Sequence, residues 1–186
     1  MTDAAAAPAA RLSPADWIRA GFAALLAEGQ AGIRVEAIAR DLGATKGSFY
    51  WHFKDVAALR AAMLAEWEAA AQAALARVQA TGLPPRRRLM LWVDLAAAGE
   101  GPEPAVRAWG LVDPAAREVL GRVDAARVEA LRDWFAAAGL GAAAATRASV
   151  TVQAAAIGLD ALSRSAGAEV RRDLAALVRG LIDPRT

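Results

Sequence analysis

The sequence of 186 residues has no cysteine, one histidine, one tyrosine and two lysines. Without cysteine there are no disulfides, thiolate metal sites or cysteine nucleophiles, and the chain suits a reducing compartment. With one histidine, no glycine-rich phosphate loop, no HExxH and no paired-carboxylate spacing, nothing assembles an acid–base pair or a metal site. An enzyme is not expected, and neither a cofactor nor a metal is implied. Long apolar runs are missing too. The longest uncharged stretches, Trp134–Thr146 and Ala148–Leu159, fall short of the roughly 20 residues that a membrane-spanning helix needs. The opening MTDAAAAPAA carries Asp3 and lacks both a basic segment and a leucine-rich core, so no signal peptide is expected. Together these absences predict a cytoplasmic protein.

What the chain has in quantity is alanine. Hydrophobic residues make up 56% of it, alanine supplies much of that share, and strand formers are sparse, so composition favours helix almost throughout. The formal net charge is +2. Through residue 60 there are seven Lys/Arg against six Asp/Glu, and beyond it fifteen against fourteen. Neither half is a basic arm, and any attraction for nucleic acid must be local.

Residues 1–12, rich in alanine and proline, have little to bury and are read as a disordered leader. Ser13, Pro14 and Asp16 have the form of an N-cap, a first-turn proline and a capping box. They start a helix over Pro14–Glu28, with Trp17, Ile18, Phe22, Leu25 and Leu26 as its apolar face and Gly29 as its stop. Two short helices follow, Val35–Leu42 and Thr45–Phe53, joined at Gly43. Short helices on a tight glycine turn, packed on a longer one, describe a helix-turn-helix unit. Ala39 is expected at their crossing, where a small side chain lets them approach. Asp55 caps a long helix reaching Thr81, and further helices are expected at Arg86–Ala98, Glu103–Leu111, Ala115–Ala138, Ala142–Ser165 and Glu169–Ile182. The fold class is all-α, with about nine helices and no strand pattern.

The segment VEAIARDLGATKGSFYWHFKDVAAL carries the most specific signal. It runs from a helix with Ile38-Ala39 through a glycine turn, Lys-Gly-Ser and Phe49-Tyr50-Trp51-His52-Phe53 into a new helix containing Leu59. From Trp17 to Leu64 the chain resembles the N-terminal DNA-binding domain of TetR-type transcriptional regulators. The resemblance implies a helix-turn-helix domain over residues 13–58 and a helical effector-binding and dimerisation domain over 59–186. The implied function is a homodimeric repressor on a palindromic double-stranded operator, released by a small-molecule effector.

The residues of the recognition segment support this on their own chemistry. Thr45 is a good N-cap, and Lys46 and Ser48 project from the first turn, where a recognition helix meets bases and backbone. Gly47 lets the groove wall come close, and Trp51 suits a thymine methyl or a sugar edge. The resemblance assigns Tyr50 and His52 to phosphate oxygens. Lys46 and Lys54, the two lysines, flank the segment. Arg34 and Arg40 are candidates for backbone contacts. Phe49 and Phe53 read as core, whereas Tyr50, Trp51 and His52 spread over too wide an arc to share it. The chain departs from the resemblance at Val56, where the family commonly has lysine or arginine. A helical interaction module that kept the fold and lost DNA affinity is the alternative this departure motivates.

Beyond Leu64 two apolar stripes suit dimerisation. Val152, Ala155, Leu159 and Leu162 form one, and Val170, Leu174, Leu177, Val178 and Leu181 form the other. Met63, Trp67, Met90, Trp92, Trp109 and Trp134 are candidates for the lining of an effector cavity. Asp94 and Asp113 could serve a polar ligand or cap helices, as Asp113 before Pro114 does.

Overall fold

The computed structural model describes residues 12–97, 101–166 and 168–183. The described residues form nine α-helices and no strand: α1 Pro14–Glu28, α2 Val35–Asp41, α3 Lys46–Tyr50, α4 Val56–Ala80, α5 Pro85–Ala97, α6 Glu103–Gly110, α7 Pro114–Ala137, α8 Ala142–Ala166 and α9 Ala168–Ile182. The chain divides into two compact units, Met1–Met63 and Leu64–Thr186, with the division inside α4. The expected leader lies outside the described residues apart from Leu12.

In the first unit the helix starts are built as the sequence dictates. The Asp16 carboxylate accepts from Ser13 N at 2.8 Å and from Ser13 Oγ at 2.7 Å, fixing the entry to α1. Those two bonds, with Arg19 beside them, hold the Asp16 carboxyl below its ordinary range. Asp55 Oδ1 accepts from Ala58 N at 2.7 Å at the start of α4. Between α2 and α3, Gly43 has φ +62°, a left-handed conformation in which a side chain is strained. Ala39 is buried, and its carbonyl accepts from Ala44 N at 2.8 Å, so the turn closes tightly against α2.

Trp17 and Phe49 are fully buried and pack edge to face at 5.3 Å between ring centroids. Ile18, Leu25, Ile38, Leu59 and Met63 of the same unit are buried as well. Burying side chains of this size stabilises the unit by about 1.5–3 kcal/mol each. Helix α3 ends three residues earlier than expected, at Tyr50 rather than Phe53. Phe53 N still donates to Phe49 O at 3.0 Å, and the two rings lie 5.7 Å apart, so a turn delivers Phe53 to the core. Leu26, expected on the apolar face of α1, is 58% exposed. Rotation of about 100° per residue carries it past the edge that Leu25 occupies.

The second unit is a helical body around Val78, Leu89, Val93, Leu131, Phe135 and Val152, all buried in one cluster. Asp113 caps α7, accepting from Ala115 N at 2.9 Å and Ala116 N at 3.2 Å. Arg86 donates to both oxygens of Asp183, tying the start of α5 to the end of α9. Among the described residues no helix is long and apolar enough to cross a membrane.

Candidate nucleic-acid interface

The helix-turn-helix geometry sorts the aromatic run by position. Phe49 at 0% and Phe53 at 8% exposure point into the core, whereas Tyr50 and Trp51 stand out at 59% and 83%. Tyr50 is held edge-on against Phe49, with ring centroids 5.2 Å apart. Tyr50 and Trp51, neighbours in sequence, are thus two large aromatic side chains left open at the end of α3. Thr45, Gly47, Ser48, Trp51 and His52 line one shallow concavity. The structure therefore brings five of the expected residues together, with Tyr50 beside them on α3.

Local hydrogen bonding prepares this surface. Thr45 Oγ1 accepts from Ser48 N at 3.2 Å, which sets the start of α3. Gly47 sits in open helical conformation, and an added Cβ would meet only Thr45 Oγ1 at 3.6 Å. Nothing inside the protein requires glycine there.

The charges are partly engaged. Lys46 Nζ pairs with Glu36 Oε1 at 2.6 Å, Arg34 with Glu28 at 3.0 Å and Arg40 with Asp41 at 3.5 Å, all on exposed side chains. The hydrogen bond from Lys46 holds the Glu36 carboxyl below its ordinary value. Lys54 is exposed and makes no ion pair among the described residues. Glu36 is the residue that sequence reasoning missed, since nothing in its spacing from Lys46 announces a contact across the turn. Val56 is half-buried at the start of α4.

The second unit holds a cavity of about 240 Å³. Its apolar wall includes Leu75, Val78, Trp92, Leu95, Ala156 and Ile157, and its polar edge is Glu103, Arg127 and Gln153. Of the six expected effector residues, Trp92 lines it. Trp109 and Trp134 are buried, with Nε1 donating to Asp113 Oδ2 at 3.0 Å and to Gln79 Oε1 at 2.7 Å. Met63 and Trp67 are buried along α4, and Met90 packs against the core cluster.

The polar edge belongs to a network that sequence reasoning also missed. Glu103 Oε1 takes bonds from Arg107 at 2.7 Å and Arg127 at 2.6 Å, and Asp124 Oδ1 takes bonds from Arg107 at 2.7 Å and Gln153 at 2.8 Å. The spacing of Glu103 and Arg107, four apart on one helix, was the available signal. Burial pushes the Glu103 carboxyl up, but Arg127 and Arg107 outweigh it and leave the group below its ordinary value. Among the described residues no group of three His, Cys, Asp or Glu is placed to hold a metal.

Of the expected dimer residues, Val152, Leu174 and Val178 are buried in the protomer's own core, and Ala155, Leu177 and Leu181 pack against it. The side chains of Leu159, Leu162 and Val170 lie outside the described residues. The outward rows of α8 and α9 carry Val150, Thr151 and Ala154 on the first and Ala176 and Gly180 on the second.

An exposed recognition helix set by a tight glycine turn defines a helix-turn-helix unit, here followed by an all-helical body. Residues 18–63 match the family described as bacterial regulatory proteins, tetR family. Residues 18–63 are thus similar to the N-terminal domain of that family, and the chain as a whole shares its fold with solved transcriptional regulators, one of them, from Rhodococcus sp., described as TetR-family. Similar solved structures span nearly the whole chain. A transcriptional regulator from Rhodococcus sp. Rha1 is 18% identical, with a TM-score of 0.77 over 92% of this chain and 96% of that one. The reduced form of NemR from E. coli is 17% identical, with a TM-score of 0.78 over 90% and 96%. A transcriptional regulator from Saccharomonospora viridis in complex with choline is 15% identical, with a TM-score of 0.77 over 89% and 95%. No curated protein matches the sequence.

Proposed function

We propose that the protein is a ligand-responsive transcriptional repressor that binds a palindromic operator as a homodimer in the cytoplasm and is not an enzyme. The observation that carries this reading is the split along α3 and its C-cap, with Phe49 buried and Tyr50 and Trp51 exposed beside Lys46, Gly47 and Ser48. The first holds the helix, and the others offer donors, a cation and a flat apolar face to a groove.

A second copy would meet the outward rows of α8 and α9, since the inward rows are used by the protomer. Gly180 supports this, because a Cβ added there meets nothing within 4 Å in the protomer. A two-fold pair would set two recognition helices about 34 Å apart, one turn of DNA. The cavity in the second unit is the proposed effector site. The choline bound by a protein of the same fold supports effector sensing by such a body. Effector binding would favour a dimer whose recognition helices no longer fit adjacent grooves.

The test is fluorescence anisotropy on duplex DNA from upstream of the protein's own gene, across a salt series and against a scrambled duplex. Tight, sequence-dependent binding with a steep salt slope is expected. Val56, in place of a basic residue, favours the second reading, a helical interaction module without DNA affinity. Lys46→Ala and Tyr50→Ala separate the two. Both weaken operator binding with an intact dimer on the first reading, and neither changes function on the second.

A further inference from the structure

Resting on the reading of the second unit as an effector sensor, we infer that its cavity takes a neutral single-ring aromatic carrying one hydroxyl or amino donor, a phenol-like ligand received by Gln153. Three observations lead there.

The first is size and wall chemistry. The cavity measures about 240 Å³, and its apolar wall includes Leu75, Val78, Ile157 and the Trp92 ring. A cavity of about 150 Å³ with apolar walls is known to accept benzene, so this one has room for a ring and a substituent.

The second is charge. Glu103 and Arg127 stand at the polar edge, bonded to each other at 2.6 Å and 2.8 Å. Arg107 and Asp124 complete the set with bonds of 2.7 Å and 2.9 Å. Two guanidinium groups and two carboxylates cancel. An anionic ligand would have to displace Glu103 from Arg127, and a cationic one would have to displace Arg127 from Glu103. Among the aromatics only Trp92 reaches the cavity among the described residues, which leaves a quaternary ammonium without the aromatic cage that would recognise it.

The third is an acceptor with nothing to accept. Gln153 lines the cavity and is 4% exposed, and its Oε1 has no hydrogen-bond partner. Its Nε2 donates to Asp124 Oδ1 at 2.8 Å. A carboxylate accepts and does not donate, so the amide is oriented with nitrogen toward Asp124 and oxygen away from it. The oxygen itself is covered, so a small turn of the Gln153 side chain is what presents it to a ligand that brings a donor, while a ligand without one leaves the acceptor unpaired.

The experiment is isothermal titration calorimetry of the full chain with phenol, anisole, benzoate and benzyltrimethylammonium, paired with operator binding. Phenol is expected to bind at least tenfold tighter than anisole, which keeps the shape and loses the donor, and tighter than either ion. Gln153→Leu is expected to erase that preference, bringing phenol and anisole to similar affinity. Ala74→Phe, which fills the cavity from a half-exposed position on its wall, is expected to abolish binding of both. Equal affinity for phenol and anisole, tighter binding of either ion, or a preference that survives Gln153→Leu overturns the ligand class. Binding that survives Ala74→Phe, or no binding by any probe, overturns the site. Selective phenol binding that leaves operator affinity unmoved upholds the ligand class and overturns the effector reading.

Discussion

Lys46 reaches back across the helix-turn-helix turn to Glu36, with Nζ and Oε1 2.6 Å apart. A cation proposed to meet DNA is thus already shared with a carboxylate on α2. Both side chains are well exposed, so the pair adds little to stability. Its cost falls on binding, because phosphate must compete with Glu36. Glu36→Gln is expected to raise duplex affinity several-fold at low salt without moving the melting temperature. Lys46→Ala is expected to lower affinity and to reduce the magnitude of the salt slope by about 0.9. Anisotropy over a salt series measures both.

Gly47 separates folding from binding. A methyl group there meets only ordinary contact with Thr45 Oγ1, and alanine favours helix over glycine by up to about 1 kcal/mol. Gly47→Ala should therefore melt at the same temperature or slightly higher, yet lose at least tenfold in operator affinity where the groove wall approaches. Thermal unfolding and anisotropy on one preparation check the two halves.

The acidic limb of stability should carry the mark of Glu103. Its carboxyl is held low by Arg127 and Arg107 against the opposing effect of burial. A folded-state value below the unfolded one means the contribution is complete above the ordinary glutamate range, about pH 4.3, and is lost as pH falls through the folded value. Melting temperature followed from pH 6 to pH 3 should fall more steeply for the wild type than for Glu103→Gln. At neutral pH that variant should be less stable by about 1–3 kcal/mol, since two partly buried arginines lose their acceptor.

Gly180 offers a clean probe of assembly. Because a side chain there points into open space in the protomer, Gly180→Arg should leave the melting of the helical body intact. On the proposed assembly, sedimentation velocity should then show a dimer for the wild type and a monomer for the variant, with operator affinity reduced in parallel.

Much of the recognition unit was legible in the sequence. Phe49 and Phe53, four residues apart, had to share a face, and Tyr50, Trp51 and His52 had to leave it. The caps at Ser13, Thr45, Asp55 and Asp113 announce helix starts by local chemistry that needs no tertiary context. The helical body was less legible. Tryptophans recur on several of its helices, and composition does not say which of them borders empty space. Trp109 and Trp134 find acceptors four and 55 residues away and fill the core, while Trp92 alone of the expected set reaches the cavity. Gln153 and its partner Asp124 are 29 residues apart, a distance over which sequence pattern carries no register. The stripes on α8 and α9 were visible as apolar rows, but periodicity cannot tell an inner row from one awaiting a second copy. Val152 and Val178 show the inner use.

The side-chain amines of this protein occur at two places, Lys46 and Lys54, both exposed at the borders of the recognition segment. Apart from the α-amine, acylating reagents would therefore mark the edge proposed to read DNA and leave the side chains of the helical body unlabelled. Acetylation there would remove two positive charges from the recognition segment and none from the helical body. Coupling the protein to an amine-reactive surface would blind the same edge, so immobilisation for binding work should use an engineered thiol elsewhere.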